Sequence, residues 1–302
     1  MINAGSMPET GLGYKTEEVK FRHSRVNGLV FLPYMTEQRI DDLAKFQTRP
    51  EDVFIVSYPK SGTTWLAQII REIAKPAMPE GVSEEQIIGG TVPFFESVNP
   101  AHLEGYPSPR YMCTHLPYAM MPRDSQHKVK YLFVARNPRD VAVSFFHWMR
   151  VLDKIDWDGS WDEYIGYFIN GNVPYGSYFD HILGWWEHKE DENLLFMKYE
   201  DMKKDLLSHV KKIAGFIGQN ISSQEAERVA EACSFSSMKA DPKTNYDRYR
   251  DKIYKKGSTF SFMRKGVVGD WKNYFSDEQL AEFDKLYASR LEGTGIDFEF
   301  LS

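Results

Sequence analysis

Short, uninterrupted apolar runs recur along the chain, and each is followed by a helical pattern or a polar turn. The clearest runs span residues 53–58, 131–135 and 194–199, and a weaker run spans residues 110–115. Helical patterns follow the first three, over about residues 63–74, 137–151 and 203–217. Non-alternating strands separated by helices are typical of a parallel sheet that is covered on both faces. The pattern therefore predicts an α/β fold: a single domain with a central parallel sheet flanked by helices.

The rest of the chain shows weaker patterns. Helices are predicted over residues 223–233 and 277–291, with Ser222 or Ser223 and Ser276 as N-caps. Residues 234–271 are polar and aromatic with little periodicity, and such a segment in a compact domain is often a functional loop. Residues 75–105 are rich in proline and glycine, and we expect a mobile lid there. We assign residues 1–20 to a loose N-terminal tail and residues 21–302 to one domain.

Composition and charge exclude several classes of function. The net charge of −6 argues against broad nucleic-acid binding, which requires a basic surface. No apolar run approaches the roughly 18 residues that span a bilayer, and the N-terminus lacks the apolar core of a signal peptide. The two cysteines, Cys113 and Cys233, are too few for a disulfide framework or a metal cluster, and they suit a reducing compartment. We expect a cytoplasmic protein that binds no metal, nucleic acid or membrane.

Polar side chains stand at or just after the ends of the four apolar runs. They are Lys60, His115, Arg136 and Tyr199. Ligands of parallel sheets bind at the carboxyl ends of the strands, so residues that are far apart in sequence can converge there on one crevice. For any one of these residues, the alternative is a polar position that simply follows a buried strand.

Residues 58–65, with the sequence YPKSGTTW, connect the first strand to its helix. A helix N-terminus offers unpaired N–H groups and a partial positive charge, and together these bind anions. Gly62 lets the backbone approach the anion closely, and Lys60 adds a full positive charge. In the nucleoside-triphosphate P-loop the lysine follows the last glycine, whereas Lys60 precedes Gly62. We therefore expect a P-loop-like phosphate-binding loop of a different kind, and the alternative is a helix cap rich in serine and threonine beside a surface lysine.

Four segments, in order along the chain, resemble the motifs of the cytosolic sulfotransferases. Residues 58–65 resemble the loop that binds the phosphosulfate of the donor, and residues 136–144 (RNPRDVAVS) resemble the second donor motif. Residues 198–202 (KYEDM) resemble the third motif, and residues 264–271 (RKGVVGDW) resemble the C-terminal signature. One such match can arise by chance, but four in the order of the family are a specific signal. The resemblance covers the chain from about Val53 to Trp271.

The resemblance implies a donor, 3′-phosphoadenosine 5′-phosphosulfate (PAPS), which leaves as 3′-phosphoadenosine 5′-phosphate (PAP), with no metal involved. It implies that a first set of residues holds the 5′-phosphosulfate end and the adenine: Lys60, Ser61, Gly62, Thr63, Thr64 and Trp65. A second set would hold the 3′-phosphate, to which arginine can bind in a bidentate way. This set is Arg136, Ser144, Arg264, Lys265 and Gly266. A third set would complete the cofactor site: Tyr199, Cys233, Phe235, Met238, Phe262 and Met263.

The resemblance also implies the catalytic residues and the acceptor. His115, within the family-like sequence THLP, would be the general base, because its ordinary pKa near 6.5 suits proton abstraction at neutral pH. Lys60 would stabilise charge on the transferring group during direct in-line displacement. Phe94, Trp148 and Tyr175 lie near positions that line the acceptor pocket in the family. The expected acceptor is a small apolar molecule with a hydroxyl or amine, such as a phenol or a sterol.

The sequence departs from the family pattern at two places. The family usually has a lysine two residues before the catalytic histidine, and here that residue is Cys113. Loss of one such donor costs about 2–4 kcal/mol of transition-state stabilisation, so a catalytically weak nucleotide- or ligand-binding member stays open. The short dimer motif near Lys272 is poorly matched, because Ala281 stands where a glutamate is usual, and this leaves monomer or homodimer open. A kinase-like phosphoryl transferase, and a net dehydration through a sulfated intermediate, are further alternatives.

Overall fold

The computed structural model describes residues 19–75, 92–122, 128–242, 244–247 and 250–300. It begins with an antiparallel hairpin of two strands, β1 (Ser24–Val26) and β2 (Leu29–Phe31), and a short helix, α1 (Glu37–Ala44). Of the predicted tail and lid, residues 1–18 and 76–91 lie outside the described part of the chain. The hairpin was not predicted, because strands of three residues give no clear period, and α1, with eight residues, was not predicted either.

A four-stranded parallel sheet forms the centre of the fold. Its strands are β3 (Val53–Val56), β4 (Tyr111–Thr114), β5 (Lys130–Ala135) and β6 (Leu194–Lys198), in the spatial order β4-β3-β5-β6. All four strands were predicted from their apolar runs, and the parallel sheet is confirmed. Three strands are shorter than their runs: β3 ends two residues before Tyr58, β4 lacks the first and last residues of its run, and Tyr199 opens a helix rather than closing β6. The strand β5 instead begins one residue before its run, at Lys130.

Helices cover both faces of the sheet, and alternate strand residues enter two separate apolar cores. Phe54 and Phe133 point into the larger core, whereas Ile55 and Leu132 point into the smaller one. Because both faces are buried, the strands read as continuous apolar runs. The remaining helices are α2 (Thr63–Ala74), α3 (Pro100–Glu104), α4 (Pro138–Val151), α5 (Trp161–Ile169), α6 (Tyr178–Trp186), α7 (Tyr199–Lys204), α8 (Leu206–Phe216), α9 (Ser223–Ala232), α10 (Phe235–Ala240), α11 (Arg250–Ile253) and α12 (Asp277–Leu291).

The helix predictions are confirmed for α2, α4, α9 and α12, and corrected elsewhere. Ser222 and Ser276 both cap their helices through reciprocal capping boxes, as predicted for these positions. The single helix predicted over residues 203–217 is wrong: α7 and α8 are separated at Asp205, whose carboxylate accepts from Ser208 N at 3.0 Å. Residues 234–271 are less irregular than predicted, because they contain α10 and α11. Within the described residues, no helix has the length and apolar character needed to span a bilayer.

Candidate active site

One cavity, of about 260 Å³, opens at the carboxyl ends of the four parallel strands. Lys60 follows β3, His115 follows β4, Arg136 follows β5 and Tyr199 follows β6, and all four side chains line this cavity. Such convergence is what a parallel sheet produces, because its strands end at the same edge.

The turn between β3 and α2 presents a helix N-terminus to the cavity. Lys60 has a φ of 69° and Gly62 a φ of 123°, so the backbone turns sharply before α2 begins. Gly62 gives α2 no side-chain cap, and the N–H groups of the first turn are left for a ligand. A Cβ atom on Gly62 would lie 3.1 Å from the Tyr199 ring, in addition to the strain at positive φ. The local geometry therefore favours glycine and leaves an uncapped helix N-terminus at the cavity, which is chemically suited to an anion.

The Lys60 ammonium group lies among other cations and aromatic rings. Its Nζ is 3.9 Å from the centroid of the Phe262 ring and 5.8 Å from that of Trp148. Burial, with added repulsion from Arg136 and Arg264, lowers the pKa of Lys60 to about 7. An anion bound at this point would relieve that repulsion and favour the charged lysine.

Arg136 joins the Lys60 turn to the C-terminal basic segment. Its guanidinium donates to the Lys60 carbonyl oxygen at 3.4 Å and to the Val267 carbonyl oxygen at 3.1 Å. It also lies 4.5 Å from the centroid of the Tyr199 ring and 3.7 Å from the carboxylate of Asp140. Arg136 is 76 residues from Lys60 and 131 residues from Val267 along the chain. A single side chain thus fixes both against the same wall of the cavity.

Two buried aspartates hold the basic segment in place. Asp140 accepts from Gly269 N at 2.8 Å and from Trp271 N at 3.2 Å, which fastens the segment to the start of α4. Asp270 forms ion pairs of 2.6 Å with both Arg264 and Lys265. The cationic side chains are therefore oriented by carboxylates that do not themselves line the cavity.

Gly266 allows this segment to pass close to α10. Its φ is 64°, and a Cβ atom there would lie 2.1 Å from the Phe235 ring. No ordinary side chain fits at such a distance, so the contact between the basic segment and Phe235 depends on glycine.

Aromatic rings line the part of the cavity next to α2. Trp65 Nε1 donates to the Cys233 carbonyl oxygen at 2.8 Å, and the Trp65 ring lies edge-on to Tyr199 with centroids 5.1 Å apart. Tyr246 links the two sides: its hydroxyl is 3.3 Å from that of Thr64, and its ring centroid is 4.3 Å from that of Phe262. A flat heteroaromatic ring fits chemically between such side chains.

One ring nitrogen of His115 is held by a hydrogen bond to the backbone of Ser57. Nδ1 lies 2.7 Å from the Ser57 carbonyl oxygen, which can only accept, so Nδ1 carries the proton and Nε2 keeps its lone pair. Burial, with a smaller contribution from the charge of Lys60, lowers the pKa of His115 to about 4. The imidazole is therefore neutral at physiological pH and needs no prior loss of a proton to act as a base.

Comparison with known proteins identifies the family. A family model described as the sulfotransferase domain matches residues 50–295, which is most of the chain. The chain belongs to the sulfotransferase family. Human (Homo sapiens) sulfotransferase 1C2 is 37% identical over 280 residues, which are 90% of this chain and 94% of the human protein.

Two solved structures have the same fold as this sulfotransferase. Mouse sulfotransferase SULT7A1 complexed with PAP has a TM-score of 0.76 at 34% identity, and the match covers 90% of this chain and 96% of the mouse chain. Retinol dehydratase in complex with androsterone and the inactive cofactor PAP has a TM-score of 0.77 at 26% identity, with 92% and 91% covered. Sequence and fold therefore agree that the chain is a transferase of this family.

The sulfotransferase brings nearly all of the residues predicted for its site to this one cavity. Ser61 is the exception: its side chain is fully buried behind the turn, does not line the cavity, and leaves Oγ without a hydrogen-bond partner among the described residues. The predicted residues that do line it are Lys60, Gly62, Thr63, Thr64, Trp65, Phe94, His115, Arg136, Ser144, Trp148, Tyr175, Tyr199, Cys233, Phe235, Met238, Phe262, Met263, Arg264, Lys265 and Gly266.

Sequence reasoning missed several residues of the same cavity. Lys203 adds a cation near Arg136, and burial together with that arginine lowers its pKa. Tyr34 and Ser97 add hydroxyl groups that lie 3.3 Å apart. The remaining ones are Leu32, Pro59, Tyr246, Ile253, Tyr254 and Val267. Pro59 and Val267 lie within the motifs over residues 58–65 and 264–271 but were not singled out as site residues. The aromatic content of residues 234–271 gave a signal for some of the rest, and the others belong to no motif.

Cys113 lies beneath the site and not in it. Its side chain is 1% exposed, enters the smaller core and does not line the cavity. Burial, with a smaller contribution from Glu96, raises the pKa of its thiol. The thiol at this position is therefore buried and protonated, which does not suit a nucleophile. Among the described residues, no cluster of three or more histidine, cysteine or acidic side chains is arranged to hold a metal ion.

Proposed function

We propose that this sulfotransferase moves a sulfuryl group from PAPS to the hydroxyl or amine of a small apolar acceptor. The observation that carries the proposal is the charge of the cavity wall. Five cationic side chains line it, while none of the described residues that line it is acidic. They are Lys60, Arg136, Lys203, Arg264 and Lys265. A chain with a net charge of −6 concentrates positive charge here, as binding a polyanion requires.

The positions of these cations support a donor with two anionic ends. The α2 N-terminus and Lys60 form one anion site, and Arg264 and Lys265 with Arg136 form a second. Aromatic side chains, among them Trp65 and Tyr199, lie along the cavity. The ribose of PAPS carries a 5′-phosphosulfate and a 3′-phosphate, which suit the two anion sites, and an adenine, which suits the aromatic side chains. Two solved structures that resemble this chain contain PAP, and this supports the same donor here.

Lys60 and His115 would carry the chemistry in the proposed reaction. His115 Nε2 would take the proton of the acceptor hydroxyl or amine as its oxygen or nitrogen attacks sulfur. The S–O bond to the 5′-phosphate then breaks in line with the attack, and Lys60 stabilises the charge on the departing oxygen. The base is weak in the free protein, because its pKa is about 4, and the negative charges of a bound donor would raise that pKa.

The acceptor would lie on the far side of His115, between aromatic side chains. The centroids of the Phe94 and Tyr175 rings are 5.1 Å and 5.2 Å from that of His115, and the Trp148 ring, also on the cavity wall, has its centroid 5.8 Å from Lys60 Nζ. Such walls suit an apolar acceptor that offers one polar group for reaction. If the sulfated product has an acidic neighbouring hydrogen, it can eliminate sulfate, and the net reaction would then be a dehydration.

A catalytically weak member of the family is the second candidate. Cys113 supplies no cation to the cavity, whereas the family usually has a lysine at this position. On this alternative the protein binds PAP tightly but transfers sulfate slowly, and Cys113→Lys increases the rate.

Transfer of labelled sulfate from PAPS to a model phenol tests the proposal. We expect turnover by the wild-type protein and a loss of about 10²–10⁴-fold in kcat for His115→Ala, the usual contribution of a general base. His188→Ala is the matched control, because this histidine is about one-third exposed and stacks on Tyr118 at the surface. Stabilisation of both variants by PAP should match that of the wild type. Normal turnover by His115→Ala would refute the assignment of the base.

A further inference from the structure

Glu96 is a buried acidic residue that the proposed reaction leaves without a role. Its side chain is 1% exposed, and it does not line the cavity. The segment that carries it runs along β4, with hydrogen bonds of 2.8 Å from Phe95 N to Cys113 O and from Cys113 N to Pro93 O. The neighbouring residues Phe94 and Ser97 do line the cavity. Glu96 therefore lies between the acceptor wall and the strand that ends in His115.

The carboxylate of Glu96 contacts the backbone of the catalytic histidine directly. Oε1 accepts from His115 N at 2.5 Å. Two more contacts hold the same residue: Nδ1 donates to Ser57 O at 2.7 Å, and His181 Nε2 donates to His115 O at 2.9 Å. Three of the four polar atoms of His115 are thus fixed. The fourth, Nε2, makes no hydrogen bond to any described residue, and it is the atom that the proposed reaction uses.

We propose that Glu96 is a positioning residue, whose carboxylate fixes the His115 peptide so that Nε2 meets the acceptor within the wall formed by Phe94 and Ser97. The proposal rests on the assignment of His115 as the base. It explains why the same short segment supplies both the carboxylate and part of the acceptor wall. A displacement of the peptide would move the base relative to the acceptor while leaving the donor loop in place.

The surroundings of Glu96 argue against a role in stability alone. The nearest guanidinium, that of Arg39, donates to the Glu96 and Val98 carbonyl oxygens and not to the carboxylate. Burial, only partly offset by the hydrogen bond from His115 N, raises the pKa of Glu96 to about 7. An acid whose pKa is raised in the folded state makes the fold less stable as the pH rises from about 4.5 toward 7. An apolar side chain at this buried position would avoid that cost, so the presence of an acceptor oxygen here points to its hydrogen bond with His115 N.

Two variants of Glu96, with side chains of similar size, distinguish a positioning role from a purely structural role. Glu96→Gln keeps an oxygen that can accept from His115 N, whereas Glu96→Met fills the same space without an acceptor. For sulfate transfer from PAPS to a model phenol, we expect Glu96→Met to lose at least tenfold in kcat. Glu96→Gln should keep at least half of the wild-type kcat. The KM for PAPS and the stabilisation by PAP should stay within about twofold of wild type in both.

The chemical shift of the His115 amide proton tests the hydrogen bond from Glu96 without requiring that the protein be active. In protein with ¹⁵N-labelled histidine, the His115 amide proton should resonate downfield because of its short bond to a carboxylate. The assigned signal should stay downfield in Glu96→Gln and move upfield in Glu96→Met. An unshifted signal in Glu96→Met, unchanged kcat in that variant, or equal losses of kcat in both variants would overturn the proposal. Absence of turnover in the wild type, with the amide shifts as expected, would instead refute the proposed function alone.

Discussion

The proposed donor end and the proposed acceptor end of the cavity are built from different kinds of sequence. The donor end takes most of its side chains from the turns after three adjacent strands and from one basic segment, and each of these is a contiguous motif. Residues 233–238 and Tyr246 add further side chains. The acceptor end takes Leu32 and Tyr34 from beyond the N-terminal hairpin, Tyr175 from a loop before α6, and Tyr254 from the residue after α11. These four lie in no shared motif.

The difference follows from what each end must recognise. A phosphate or sulfate group requires charged donors and helix N–H groups in fixed geometry, so few residue types are tolerated at each position. An apolar wall requires only side chains that exclude water and fill space, and many residue types do so. Specific chemistry is therefore concentrated at the donor end, while the acceptor end is free to change with the substrate.

A glycine substitution tests the donor end most severely. Gly266→Ala places a methyl group 2.1 Å from the Phe235 ring at a φ of 64°, and should displace the basic segment. Gly257→Ala is the matched control, since its φ is 77° but no atom lies within 4 Å of the new Cβ. We expect PAP affinity to fall about 30-fold in the first variant, or about 2 kcal/mol, and less than about twofold in the second. Calorimetric titration measures both, and equal losses would show that the close approach to Phe235 is unimportant.

The titration of Lys60 gives a pH dependence that belongs to the donor end alone. Its pKa is lowered to about 7 in the free protein, and a bound anion favours the protonated form. PAP affinity should therefore be constant well below pH 7 and fall as the pH rises above it, by up to about tenfold per unit. Lys60→Arg keeps its charge over this range and should remove the dependence. An equally steep decline in Lys60→Arg would assign the titration to another group.

Two tyrosine hydroxyls, one at each end of the cavity, give the comparison with the smallest expected effects. Tyr34 at the acceptor end is 3.3 Å from the Ser97 hydroxyl, and Tyr246 at the donor end is 3.3 Å from the Thr64 hydroxyl. Loss of one such hydrogen bond costs about 1 kcal/mol, or about fivefold. We expect Tyr34→Phe to raise only the KM of the acceptor, and Tyr246→Phe to weaken only PAP binding. Steady-state kinetics and calorimetry distinguish the two, and a crossed effect would show that the ends are not independent.

The same contrast explains how much could be predicted from the sequence. The four buried strands could be predicted, because a sheet covered by helices on both faces has strands with continuous apolar runs. The start of α2 could be predicted, because a turn that suits an anion places a glycine between polar residues. The resemblance of the motifs then identified nearly every donor residue that lines the cavity. The break between α7 and α8 could not be predicted, because Asp205 gives no signal in a helical pattern until its capping bond is seen. Tyr34 and Tyr254 could not be predicted, because only tertiary packing brings them to the cavity.

The central claim is that cations from separate segments bind the two anionic ends of one nucleotide. Calorimetric titration with PAP and with adenosine 5′-phosphate, which lacks the 3′-phosphate, tests it in the wild type and in Arg264→Met. We expect the wild type to prefer PAP by about 100-fold, since hydrogen bonds to charged groups contribute about 1.5–3 kcal/mol each. In Arg264→Met the preference should fall to about tenfold or less, with little change in binding of adenosine 5′-phosphate. An equal loss of affinity for both ligands would contradict the claim.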